Sequence, residues 1–215
     1  QKAGAATVST AKVGEVKHIE AAAKDLWNAK GKALLVSGSN DPAVQGLVNA
    51  TNDLLGSYGA TIDLDRAVNY RQGDEKMMDG FIADANAGNI GAVIFFNANP
   101  VYDYHNGAKL AAALSKIALK VSTSYIEDET AKMMDYVAPD NHYLESWNDA
   151  SPKTGQYSLS QPTITPIFKT RQAQSSFLTW SGAESADYFD YLKENWKNTY
   201  FAAQSTSIDF QQFWD

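Results

Sequence analysis

The stretch GAVIFFNANP, Gly91 to Pro100, decides how the chain folds. Ala92 to Phe96 is an unbroken apolar run, too short for a helix, and it predicts a strand buried on both faces, as strands of parallel sheets are. Asn97-Ala98-Asn99-Pro100 ends it with turn residues, and the proline pre-sets the first turn of a following helix. A strand that ends this way is one piece of a strand–helix alternation, so its neighbours should show the rest.

They do, in both directions. Downstream, Gly107 to Ile117 reads as an Ala/Leu helix, Leu119 to Ser124 as a strand, and Tyr136 to Ala138 as a short last strand before Pro139. Upstream, Asp74 to Ala87 reads as a helix with Met77, Met78, Phe81 and Ile82 inward, broken by Gly88-Asn89. Ala33 to Ser37 (ALLVS) is predicted as the first strand, turned by Gly38-Ser39-Asn40-Asp41-Pro42 into a helix over Val44 to Leu55, with Asp41 as N-cap and Gly56 and Gly59 at its end. Ser151 to Lys169 carries three prolines and is predicted as strand-poor, extended chain. Helices over Gln172 to Trp180, Ala186 to Tyr200 and Ile208 to Trp214 follow, the middle one with a core stripe of Phe189, Leu192, Trp196 and Tyr200.

The expected fold is therefore α/β, a Rossmann-like parallel sheet flanked by helices, with a C-terminal extended and helical appendage. The domain reading is 1–150 for the α/β domain with its leading helix and 151–215 for the appendage. Across 215 residues, 44% apolar and 20% charged content suits a folded chain rather than a disordered one. A net charge of −7 argues against duplex nucleic acid as partner, because phosphate binding needs clustered Lys and Arg. No apolar run approaches the ~20 residues of a membrane span. There is no cysteine, so thiol nucleophiles, disulfides and Cys-ligated metal centres have no ligands in this chain. QKAGAATVST carries neither initiator Met nor signal pattern and reads as the start of a piece of something larger.

Ligands of open parallel sheets bind where strands end and helices begin. That rule puts Gly38 to Asp41, Asn97 to Pro100, Ser124 to Glu129 and Pro139 to Glu145 along one edge. Neither G-x-G-x-x-G nor G-x-x-x-x-G-K-[ST] is present. Asn97 and Asn99 suit close backbone approach to a ligand and equally suit capping of the turn. Glu127, Asp128 and Glu129 offer oxygen ligands to a hard cation, but at a helix start they more simply face the macrodipole. His142, between Asp140 and Glu145, could be a carboxylate-oriented base; with no nucleophile at recognisable spacing, it more simply closes a polar network in its loop. His18 and His105 read as surface or capping residues, and the sequon Asn49-Ala50-Thr51 falls within a helix.

The segments KALLVSGSNDPAVQGLVNATNDLLGSYGATID, FFNANPVYDYHNGAKLAAAL, STSYIEDETAKMMDYVAPDNHYLESWNDASP and SLSQPTITPIFKTRQAQSSFLTWSG together resemble the molybdopterin oxidoreductase superfamily. Within it they look most like the large molybdopterin/iron–sulfur-type subunit of bacterial alternative complex III, a quinol-oxidising respiratory assembly, over roughly Val16 to the end. The resemblance implies an α/β domain whose strand-end loops hold part of a molybdopterin guanine dinucleotide. By position, its wall is Gly38, Ser39, Asn40, Asn97, Asn99, Pro100, Glu127, Asp128 and Glu129, with His142 from the neighbouring loop. It also implies that cluster cysteines and metal site lie in other parts of the subunit, so no catalytic centre and no cofactor are expected within this piece. In that branch the pocket has lost its cofactor and serves as scaffold beside an iron–sulfur portion and further subunits of a membrane complex. Export to the periplasmic side is implied too. Two other readings remain: a dinucleotide-binding domain of an active molybdenum reductase of the polysulfide or thiosulfate type, and a free-standing small-ligand module.

Overall fold

The computed structural model describes residues 17–70, 73–206 and 209–215. The opening QKAGAATVST, Val16 and Ile208 lie outside the described residues. The chain divides into two compact units, 1–70 with 152–156, and 71–151 with 157–215.

The first unit contains α1 (Lys17–Asn28) and α2 (Pro42–Leu54). Asp41 caps α2 as its sequence predicts, accepting from the Ala43 N–H at 2.8 Å with proline in the first turn. Asn49 to Thr51 lie inside that helix. The ALLVS segment departs from expectation, since it belongs to neither of the sheets. The buried Asn52 side chain takes the Leu35 N–H and C=O, each at 2.9 Å, and the hydroxyls of Ser57 and Thr61 donate to the Ala33 carbonyl. One side-chain amide thus supplies the donor–acceptor pair that a neighbouring strand would give. Leu34 and Val36 stay exposed.

The second unit holds a three-stranded parallel sheet, with β1 (Ala92–Phe95), β2 (Leu119–Ser122) and β3 (Tyr136–Val137) in that spatial order. Ala92 pairs with Leu119 and Val121 with Tyr136. The connections run through helices. α3 (Glu75–Ala87) leads into β1, with Asp74 as its N-cap and Gly88 at φ +77° as its left-handed C-cap. α4 (Pro100–Asp103) and α5 (Gly107–Leu114) join β1 to β2. At Gly107 a Cβ would run into the Val101 carbonyl, so the close passage of α4 against α5 requires glycine. This is the mixed α/β, Rossmann-like architecture expected from the alternation.

Leu110, Ala113, Leu114 and Ile117 form the buried core with Ala85, and Met78, Phe81, Ile82, Val93 and Phe95 pack against it. Two expectations need correction. Met77 is exposed, because it sits one residue off the Met78–Phe81–Ile82–Ala85 face. β1 is not buried on both faces: Val93 and Phe95 enter the core, while Ile94 is half exposed. An all-apolar strand does not reveal from its own residues which face a helix covers.

The proline-bearing segment Ser151 to Lys169, expected to be strand-poor and extended, opens on a paired ribbon. β4 (Asn148–Lys153) and β5 (Gln156–Ser160) pair as a two-stranded sheet, turned through Gly155 at φ +76°. Pro152 is tolerated there because its position calls on it as an acceptor, its carbonyl taking the Asn69 N–H at 3.0 Å. The chain closes with α6 (Ala173–Ser181), α7 (Tyr188–Trp196), a wider turn over Lys197–Phe201, and α8 (Phe210–Trp214). The predicted stripe is core: Leu192 and Trp196 are buried, Phe189 meets Trp147 and Trp214, and Tyr200 meets Trp196. No helix among the described residues is long and apolar enough to cross a membrane.

Candidate functional site

The three loops that leave the carboxyl ends of β1, β2 and β3 are locked to one another. The parallel ladder continues past the strands, with Thr123 N–H donating to the Phe95 carbonyl and Asp140 N–H to the Thr123 carbonyl, both at 3.0 Å. Asn99 then clips the first loop to the second. Its Oδ1 accepts from Thr130 N–H at 3.1 Å and Oγ1–H at 2.7 Å, and its amide donates to Glu129 at 2.7 Å. Thr130 is fully buried, and its hydroxyl oxygen also accepts from the Val101 N–H. The Asn99 amide holds the Glu129 carboxyl below its usual range, helped by the Glu129 backbone N–H. Asp128 accepts from the Ala131 N–H and starts the 3-10 turn Ala131–Met133.

The third loop is tied to the segment before α6. Asp140 Oδ1 accepts from the N–H groups of Asn141 and Ala173, at 2.7 and 2.8 Å. Burial pushes the Asp140 carboxyl up, against those two N–H groups that pull it down. His142 is a capping residue: its Nδ1 accepts from the Leu144 N–H, while Glu145 accepts from the His142 N–H at 2.9 Å. The other oxygen of Glu145 accepts from the Ile167 N–H at 2.9 Å.

The N–H groups of Ile167 and His142 hold the Glu145 carboxyl below its ordinary value of 4.5. The stability it adds is therefore complete above that value and is lost as pH falls through the folded-state value. Glu145→Gln is expected to melt earlier than wild type near neutral pH, because the amide replaces one accepting oxygen with a donor. Melts recorded from neutral pH downward should show the gap closing below 4.5; a pH-independent gap would contradict this role.

Between these loops and the start of α6 and α7 lies a cleft of about 500 Å³. Asn97 and His142 line it, and Asn97 holds a left-handed backbone, φ +48°, to turn the chain at the end of β1. Asn99, Glu129 and Asp128 support its wall through the bonds above, Glu127 is exposed on the same loop, and Pro100 opens α4. Gly38, Ser39 and Asn40 belong to the first unit, where Ser37 and Ser39 hydroxyls shape their turn. Residues that sequence reasoning passed over complete the cleft: Ser146, Asp149, Gln174 and Tyr188. Ser146 Oγ, in a side chain 3% exposed, and Gln174 Oε1 have no hydrogen-bond partner among the described residues. Across His142 lies an apolar groove of about 770 Å³, with Ile126, Ile167 and Phe168 exposed along it.

Over 100 residues the chain is 32% identical to the menaquinone reductase, molybdopterin-binding-like subunit, of Nitratidesulfovibrio vulgaris. The likeness supports a relationship to the molybdopterin oxidoreductases. It covers 45% of this chain and 14% of that protein's length. No family model matches the chain.

The molybdopterin guanine dinucleotide expected from the sequence resemblance carries a pyrophosphate, and the cleft does not fit that group. Two phosphates need cations or a row of backbone N–H groups. Among the described residues, the charged groups that line the cleft are Asp140 and Asp149, without a lysine or arginine. Pro100 removes one N–H from the first turn of α4, and Glu129 stands bonded beside Asn99. Among the described residues no group of three or more His, Asp or Glu is arranged to hold a metal ion.

Proposed function

We propose that this chain is part of a molybdopterin-oxidoreductase-like subunit in a quinone-linked respiratory complex of the alternative complex III kind. There it acts as a scaffold without chemistry of its own, on the periplasmic side of the membrane. The observation that carries this reading is the strand-end cleft, whose carboxylates, Asp140 and Asp149, make it a poor host for the phosphates of a dinucleotide. Two features support it. The relative is named a molybdopterin-binding-like subunit of a menaquinone reductase. The apolar groove beside the cleft, with Ile167 and Phe168 exposed, is the kind of surface that other polypeptide covers in an assembly.

The remaining domains of the subunit, an iron–sulfur portion among them, and the other subunits of the complex are the partners in this reading. Molybdenum, tungsten and pterin analysis of the full-length subunit, purified with its complex, tests it. Amounts far below one per chain are expected. Stoichiometric metal and pterin would overturn the scaffold role and favour a working molybdenum reductase.

A further inference from the structure

The cleft has the chemistry of a site for something other than a phosphate compound. Ser146 Oγ and Gln174 Oε1 sit in its wall without partners, although a buried acceptor left unpaired costs free energy. Gln174 spends its amide on Asn148 Oδ1 at 2.8 Å, which fixes the carbonyl oxygen as the end left over. Asp149 spends Oδ2 on the Trp196 indole N–H at 2.8 Å, and Asp140 spends Oδ1 on backbone. Among the described residues, one oxygen of each carboxylate therefore remains for a ligand. What the cleft lacks, among the described residues, is a positive charge: no lysine or arginine lines it.

The rest of the lining narrows the choice of donor. Phe96, Tyr125, Tyr143 and Tyr188 present aromatic rings around the polar floor. A flat cation can stack on such rings while its edge meets the oxygens, whereas an ammonium is a compact, strongly hydrated point charge. The guanidinium group has five N–H donors in a plane, enough for Gln174 Oε1, Ser146 Oγ and both carboxylates together. Burial with the Asp149 carboxylate nearby pushes the Tyr188 hydroxyl up, which places the negative field in this part of the unit.

We propose that the cleft at the ends of β1, β2 and β3 receives the arginine side chain of a partner polypeptide. The inference rests on the reading that no dinucleotide fills the cleft, and it names the chemistry of what does. The arginine anchors the partner: its charge meets Asp140 and Asp149, and the buried oxygens of Ser146 and Gln174 gain the donors they lack.

N-acetyl-arginine amide, titrated into the 215-residue chain while the side-chain amide signals of Gln174 and Asn148 are followed by NMR, is the test. Saturable shifts are expected, with a dissociation constant on the order of 1 mM for so small a probe. Asp149→Asn keeps the acceptor for Trp196 and should weaken binding about tenfold, as should Asp140→Asn, with melting temperatures no lower than wild type as proof of folding. N-acetyl-lysine amide should bind about tenfold more weakly than the arginine probe. The absence of saturable shifts, or equal binding of the two cations, would overturn the proposal and leave the scaffold reading standing. Guanosine 5′-monophosphate binding at the same signals would overturn both.

Discussion

Leu110→Ala is expected to destabilise the second unit by about 3 kcal/mol and to lower its melting temperature by roughly 6–12 °C. Leu110 has no exposed surface and sits among Ala85, Ala113, Leu114 and Ile117, with α3 and the inward face of β1 packed over it. Truncation removes the transfer free energy of the lost methyl and methylene groups and leaves a void that two helices and a strand cannot close. Met77→Ala, on the outward face of α3, should change stability by no more than about 0.5 kcal/mol. Thermal denaturation of the two variants checks the pair. Equal losses would mean that α3 presents a different face to the core.

Asp140→Ala should cost about 2 kcal/mol, because it strips the acceptor from the buried N–H of Ala173 and from that of Asn141. The start of α6 and the third strand-end loop would loosen together. Asp140→Asn should behave differently, since its oxygen can still accept from both N–H groups. Burial raises the folded-state pKa of Asp140 above its ordinary 3.8, so its carboxyl favours the folded state most fully below that value. That contribution is lost as pH rises through the folded-state value, and near neutral pH the buried charge is a cost. Asp140→Asn is therefore expected to melt at or above wild type near neutral pH, with the difference shrinking in acid. Melting curves across that range measure it, and an asparagine variant as unstable as the alanine one would show that charge, not the acceptor, holds the loop.

Much of the fold was legible because local chemistry decided it. The AVIFF run, the proline after Asn99, the aspartate cap of α2 and the Gly88 break after α3 each sit where a few neighbouring residues set the outcome. Long-range pairing was not legible. Asn52 takes over the backbone of Leu35 from 17 residues away, and nothing in ALLVS announces it. The β4–β5 pair was hidden because a proline in a short ribbon looks like a break, although there it needs only to accept.

The candidate site divides the same way. His142 and Glu145 form a capping box within four residues, and the expectation of a polar network closed by His142 followed from that spacing. Asn97 lines the cleft and Asn99 ties two loops together, so two similar residues on one short loop do different jobs. Ser146, Asp149 and Gln174 bear on the cleft through tertiary placement alone. Gln174 in particular sits in a helix whose sequence shows no sign of a ligand. The segment after Trp147 carries a hint, since the chain must return over the third loop to start α6 at Asp140.

The most direct test of the scaffold role is a density map of the intact complex at the cleft between Asp140, Asp149 and Tyr188. Protein side-chain density between the rings and the carboxylates is the expected result. A guanine dinucleotide lying across the strand ends would contradict it.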